Sequence, residues 1–188
     1  MTKTQNALGT SLIIIALVLG IGIGYSLSPE YRQSMFQKNT MGLGVADVWV
    51  DQRYLNAMIS HHRSAMLIAE QAQQSSRPEI QKLAVDILTN EPKLIEELYT
   101  WKKEWYNDMR TVSDPKVPQF GSPNKTFDLR ILNALIAHHE DGIVMTQEVR
   151  LKTSRSEVVD NADAVEAFLK NSMTMLREWR VTWYGITK

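Results

Sequence analysis

"DQRYLNAMISHH" occupies residues 51–62, and "DLRILNALIAHH" occupies residues 128–139. Eight of the twelve positions are identical, and His61 recurs as His138, 77 residues later. Chance would give about one identity in a stretch of this length at ordinary residue frequencies. An internal repeat of this kind decides the fold class before any single element is considered.

The repeat continues downstream of these two stretches. SSRPEI (75–80) corresponds to TSRSEV (153–158), and WKKEWY (101–106) corresponds to WRVTWY (179–184). In each copy, apolar residues recur at helical spacing on both sides of the polar SR segment, which predicts two helices per copy. Two helical hairpins predict an all-α, four-helix bundle over residues 46–185, with units 46–110 and 124–185.

Three local features refine this prediction. Ser76–Glu79 and Ser154–Glu157 match the capping box that opens a helix. Pro92 falls inside the second helix of unit one and predicts a kink or an interruption there, because proline removes an intrahelical donor. Between the units, residues 111–123 contain three prolines and a glycine, and they predict an ordered, non-helical crossover.

The N-terminal part of the chain is strongly apolar. Residues 7–27 contain no charged side chain and would reach about 31 Å as a helix, which is enough to span a bilayer. Lys3 precedes the stretch and predicts an N-terminus that stays inside. We therefore expect a membrane anchor over residues 1–28, a linker over 29–45 and an exported domain in the periplasm or a lumen. A cleaved signal peptide with a secreted domain is the alternative.

Composition excludes several classes of function. The chain has no cysteine, so disulfides, thiol catalysis and cysteine metal sites are excluded. A formal net charge of +0 predicts no nucleic-acid partner, because such proteins carry a basic surface. Neither a phosphate-binding loop nor a repeated catalytic arrangement is present, and we expect no enzyme activity.

The chain contains only four histidines, and they form two adjacent pairs at matching points of the repeat. The two-fold relation between the units predicts that the pairs approach each other. Methionines lie at helical spacing from them, and imidazole with thioether suits copper, especially Cu(I), rather than magnesium or calcium. The candidate metal ligands are Met58, His61, His62, Met66, His138, His139 and Met145.

Adjacent helical residues point about 100° apart, so the two members of a pair have different roles. Met58 with His61, and His138 with Met145, form the expected ligand face. His62 and His139 lie along the core stripe as hydrogen-bonding groups. Three alternatives remain at this stage: separate ions at each pair, a b-type haem, and a structural or partner-binding bundle without metal. A di-iron site is disfavoured, because Met58 occupies the place of the glutamate in Glu-x-x-His.

The motifs MISHHRSAM (58–66), LIAHHEDGI (135–143) and RPEIQKLA (77–84) resemble the domain of unknown function 305 family. This family is ferritin-like, and the resemblance covers about residues 45–185 in two copies. It implies exported copper binding linked to copper tolerance. By position, it implies ligand roles for Met58, the four histidines and Met145. The chain departs from the family pattern at Leu135, Ile68, Leu98 and Leu176, which stand where methionine is expected, and at Glu91, which replaces a glutamine.

Taken together, the sequence predicts an exported, membrane-anchored protein that binds Cu(I) and either sequesters or transfers it. The expected partners are the copper ion and, through the N-terminal helix, the membrane.

Overall fold

The computed structural model describes residues 42–187 and contains four helices in that range. They are α1 (Val50–Ala72), α2 (Pro78–Tyr106), α3 (Phe127–Arg150) and α4 (Ser156–Tyr184). No β-strand occurs among these residues, so the all-α, four-helix prediction is confirmed.

The helices form two hairpins that meet through their first members. α1 packs on α2, α3 packs on α4, and α1 also packs on α3. The apolar residues divide into two clusters. The upper cluster is defined by α1 residues 68–72, the α3 run 127–137, and side chains such as Ile80, Ala84, Phe120 and Leu176. The lower cluster is defined by α1 residues 50–59 with Met145 and Val149 of α3, and with Leu43, Leu98, Val158 and Ala162.

Reciprocal contacts join the two units. At one end of the bundle, Arg77 pairs with Asp128 (3.2 Å) and its guanidinium lies 4.3 Å from the Trp183 ring centroid. At the other end, Arg155 pairs with Asp51 (3.3 Å) and lies 4.1 Å from the Trp105 ring. Each unit thus supplies the arginine that the other unit's aspartate and tryptophan bind. This exchange is the signature of a pseudo-two-fold axis.

The local helix signals were only partly correct. The predicted capping boxes are wrong: the N-caps are Arg77 and Arg155, and neither makes a side-chain cap hydrogen bond. Instead, the Ser75 and Thr153 hydroxyls accept the arginine backbone N–H groups, each at 3.0 Å. The hydroxyls therefore act one residue earlier than the box pattern requires. Pro92 does not interrupt α2, which runs continuously to Tyr106.

Residues 111–123 are non-helical, as predicted, and side chains of unit one hold them in place. Tyr99 accepts the Val112 N–H at 2.8 Å, and Arg63 donates to both Asp114 carboxylate oxygens at 2.7 and 2.9 Å. Gln71 donates to the Pro118 carbonyl (2.9 Å).

None of the helices within residues 42–187 is long and apolar enough to cross a membrane. The predicted anchor over residues 7–27 lies outside the described residues.

Candidate metal centre

His61, His62, His138 and His139 lie between the two apolar clusters, and we call them the histidine layer. All four are buried, with 2–5% of their surface exposed. α1 and α3 supply one pair each, near the middle of each helix. The prediction that the repeat brings the two pairs together therefore agrees with the structure.

His61 and His138 make the contact at the centre of the layer. Their rings are stacked, with centroids 3.7 Å apart and planes 9° apart. Gly142 makes room for this arrangement, because a Cβ at that position would lie 2.6 Å from His61 Cε1 and 2.6 Å from Leu169 Cδ1. The matching residue of unit one is Ala65. A glycine on α3 thus fixes how closely His61 can approach it.

The hydrogen bonds of Ser64 indicate the tautomer of His138. The Ser64 hydroxyl donates to the His61 carbonyl (2.7 Å) and lies 3.2 Å from His138 Nδ1. Since the hydroxyl has one proton, His138 Nδ1 must donate to it, and the lone pair of the neutral ring lies on Nε2. His61 Nδ1 is buried without a hydrogen-bond partner among the described residues. The His61 ring therefore has a nitrogen that makes no hydrogen bond within residues 42–187.

The other two histidines have different partners. His62 Nδ1 makes a very short, buried hydrogen bond to the Glu91 carboxylate of α2. His139 Nε2 lies 2.9 Å from the Ser172 hydroxyl of α4. Both side chains are thus tied to the second helix of their own unit. This placement matches the hydrogen-bonding role expected for His62 and His139.

The three candidate methionines do not lie together. Met58 and Met145 are both buried in the lower cluster, so they are on the same side of the histidine layer. Met66 is only partly buried, and its sulfur lies 3.7 Å from Arg63 Nη1. The structure therefore groups Met58 and Met145 near the layer and directs Met66 towards the surface.

A groove of about 580 Å³ leads to His61 along the outer face of α1. Asn56, Ser60, Ser64 and Met145 line it, and residues 112–116 of the crossover form its other wall. Asn56 Oδ1 is buried and has no hydrogen-bond partner among the described residues. The groove is thus lined by two residues that each have a buried polar atom without a partner among the described residues, Asn56 and His61, and by the thioether residue Met145.

Burial disfavours the charged form of His61, His138 and His139. Desolvation lowers the pKa of His61 well below its ordinary value, and the neighbouring His62 and His139 lower it further. The pKa of His138 is lowered by burial and then by the other three histidines. Burial lowers the pKa of His139 to about 4. Neutral imidazoles are the form that binds metals.

The donor set fits a soft or borderline ion, but the rings are not arranged around a single point. A metal lies in the plane of the imidazole that binds it, so two stacked, parallel rings do not converge on one ion. Within residues 42–187, no group of three or more His, Asp or Glu side chains is arranged to hold a metal. Binding by both His61 and His138 therefore requires one ring to turn.

The sequence did not identify three polar residues of this region. Glu91 was noted only as a departure from the family pattern, although a glutamate facing an apolar stripe signals a buried partner. Ser172 and Asn56 carried no such signal, because serine and asparagine are common on helix surfaces.

The fold and the histidine layer define a four-helix bundle with buried histidines and methionines. Known proteins share this fold. The family model described as Domain of unknown function (DUF305) matches residues 51–127. The resemblance inferred from the motifs is thereby confirmed. No curated protein matches the chain.

Solved structures of CopM are similar to this protein. CopM in the Cu(I)-bound form is 27% identical, with a TM-score of 0.65, and the match covers 73% of this chain and 99% of CopM. The Ag-bound form obtained by co-crystallization is 27% identical, with a TM-score of 0.64 and coverage of 72% and 98%. The Cu(II)-bound form is 25% identical, with a TM-score of 0.60 and coverage of 71% and 97%.

Proposed function

We propose that this protein binds Cu(I) through His61, His138, Met58 and Met145 and sequesters or transfers it without catalytic turnover. The observation that carries the proposal is the close approach of the His61 and His138 rings, with centroids 3.7 Å apart, on the side of the layer where Met58 and Met145 are buried. One of the two rings turns when the ion binds. Imidazole nitrogen and thioether sulfur are the ligands that Cu(I) prefers. The likeness to CopM structures determined with copper and silver supports the same ion class.

The distribution of sulfur favours one site over two. Met58 belongs to unit one and Met145 to unit two, yet both lie in the lower cluster. Their repeat counterparts, Leu135 and Ile68, lie in the upper cluster and have no sulfur. A thioether site therefore has donors on only one side of the histidine layer. Glu91 and Ser172 fix the rings of His62 and His139. These rings lie 5.9 Å from His61 and 5.7 Å from His138, respectively, so they support the ligand rings by packing.

We further propose that the protein works outside the cytoplasm, held to the membrane by residues 7–27, in copper tolerance. The uncharged stretch after Lys3 supports this location. The oxidising state of such compartments is compatible with a site that contains no cysteine.

Competition between the full-length protein and a chromogenic Cu(I) chelator tests the binding proposal. We expect His61→Ala and His138→Ala to weaken binding at least tenfold. Met58→Leu and Met145→Ile install the residues found at the matching positions of the other unit, and they should weaken binding with little change in packing.

Met66→Ile is the matched control, because Ile143 stands at its counterpart and its sulfur lies against Arg63. It should bind like the parent protein. Wild-type protein that takes no copper from the chelator at micromolar concentration would favour the other candidate, a structural or partner-binding bundle. Equal binding by all histidine variants would show that the copper lies elsewhere.

A further inference from the structure

Five of the ten exposed large apolar side chains of the described residues lie at one end of the bundle. α1 and α4 begin at this end, and α2 and α3 finish there. The exposed fractions are 71% for Val45, 80% for Val48, 53% for Trp49, 73% for Met109 and 87% for Leu151. The other five are spread singly along the helices, at Val85, Leu94, Val144 and Phe168, and near the opposite end at Val181, which is 42% exposed. We call the first group the apolar end.

Contacts bring these residues to one surface. The Trp49 ring lies 6.0 Å from the Tyr106 ring, next to the turn that carries Met109. Lys152, next to Leu151, donates to the Gly44 carbonyl, beside Val45. The segment before α1 is fixed here as well, because Arg53 donates to the Leu43 and Val45 carbonyls, both at 2.6 Å. The apolar side chains therefore project from an ordered platform.

The charged groups of this end are largely paired with one another. Arg53 pairs with Asp47 (2.8 Å), Arg110 with Asp108 (2.8 Å) and Lys152 with Glu148 (2.5 Å). The surface therefore combines apolar side chains with locally compensated charge. Such a surface suits the interfacial zone of a bilayer, where tryptophan and tyrosine rings concentrate.

We infer that the apolar end rests on the lipid bilayer, with Val48, Trp49, Met109 and Leu151 in the interfacial zone. The inference rests on the proposed anchor over residues 7–27. The chain reaches the bundle at this end, since residues 28–41 separate the apolar stretch from Gly42. An anchor there is joined to this end of the bundle, which is the nearer end to it along the chain. The histidine layer would then lie about 17 Å from the surface, eleven residues along α1.

Single-cysteine labelling of the full-length protein tests this orientation. The chain has no cysteine, so Val48→Cys, Leu151→Cys and Val181→Cys each give one site for an environment-sensitive fluorophore. The protein is reconstituted in phosphatidylcholine vesicles that contain a lipid with a shallow nitroxide quencher. We expect about twofold quenching at positions 48 and 151 and none at 181. Adding Leu151→Asp to the Val48→Cys protein should reduce the quenching at position 48.

Vesicle flotation separates the possible failures. Protein that floats with the vesicles but shows equal, weak quenching at all three positions would overturn the inference and leave the anchor intact. Protein that does not float would overturn both. A label at position 48 that is shielded from water but not quenched by the lipid would show that a protein or a second copy covers this end, which also overturns the inference.

Discussion

Unit one and unit two share a fold and a histidine pair, but they surround the pair differently. In unit one, His62 is bound by a carboxylate, and the outer face of α1 borders a groove. In unit two, His139 faces a hydroxyl, and α3 is buried on nearly every side from Phe127 to His139.

An asparagine shows how the two environments diverged. Asn133 Oδ1 accepts Arg180 Nη1 at 3.2 Å, whereas the corresponding Asn56 Oδ1 has no partner among the described residues. Lys102 stands where unit two has Arg180, and it reaches the Arg110 carbonyl and Asp108 instead. The lysine at position 102, in place of an arginine, thus leaves Asn56 Oδ1 without a donor among the described residues, and Asn56 lines the groove. The two units thus keep the same helical scaffold, but only unit one borders the groove with the outer face of its first helix.

The largest expected effect is a loss of folding stability at low pH. Because the folded-state pKa values of His61, His138 and His139 lie below about 6.5, the unfolded chain binds more protons at lower pH. Their contribution to stability is complete above pH 6.5 and is lost as the pH falls towards the folded values, about 4 for His139. The loss approaches about 1.4 kcal/mol per pH unit for each histidine. Urea unfolding from pH 7 to 4.5 measures it.

One replacement isolates the share of His139 in this loss. His139→Gln removes one titrating group and keeps a polar partner for Ser172, so the slope of stability against pH should become smaller. An unchanged slope would show that His139 does not titrate between the two states.

The second expected effect separates the two histidine partners. Glu91→Ala leaves His62 Nδ1 buried without its carboxylate, and we expect a loss of about 3 kcal/mol in the free energy of unfolding. Ser172→Ala removes a neutral partner from His139 and should cost about 1 kcal/mol. Chemical denaturation followed by circular dichroism measures both at pH 7. Equal losses would mean that the two units support their histidines equally.

A third, smaller effect is expected at the contact between α1 and α3. Gly142→Ala places a methyl group against His61 and Leu169, and the resulting overpacking should cost about 1–2 kcal/mol after the gain in helix propensity. Ala65→Gly, its counterpart, should cost about 1 kcal/mol through helix propensity, and the loss of a buried methyl group adds to this cost. A stabilised Gly142→Ala protein with unchanged copper affinity would contradict the close approach.

The smallest effect should be the same in both units. Arg77→Gln and Arg155→Gln each remove one partly exposed ion pair and one contact with a tryptophan. We expect each to cost about 0.5 kcal/mol, because solvent screens such pairs. Thermal denaturation of the two variants side by side measures the difference. Unequal losses would show that the two-fold relation does not extend to the energetics.

Much of the fold was predictable because each helix pattern occurs twice in the sequence, once in each unit. The repeat predicted four helices and the approach of His61 to His138. The helix starts were less predictable, since Ser75 and Ser76 are both hydroxyl residues and only the backbone geometry selects Ser75. Pro92 leaves α2 continuous, because tertiary packing outweighs a local preference.

The candidate site was less predictable than the fold. Residue spacing places His61 and Met58 on one face, but it does not determine whether two imidazoles stack or converge. That outcome depends on Gly142 and Leu169, which are distant in sequence from His61. The pairing of His62 with Glu91 depends similarly on how α2 lies against α1.

The exchange of arginines between the units has a consequence for how such a chain can be divided. Neither hairpin contains both the arginine and the aspartate of a pair, so each hairpin is complete only when the other is present. A gene encoding one hairpin would give a subunit whose surface is complementary to itself, and it would assemble as a symmetric pair at a rate that depends on its concentration. The crossover makes that encounter intramolecular. Once the two copies are linked, each can mutate separately, which is how a glutamate can arise on one side and not on the other.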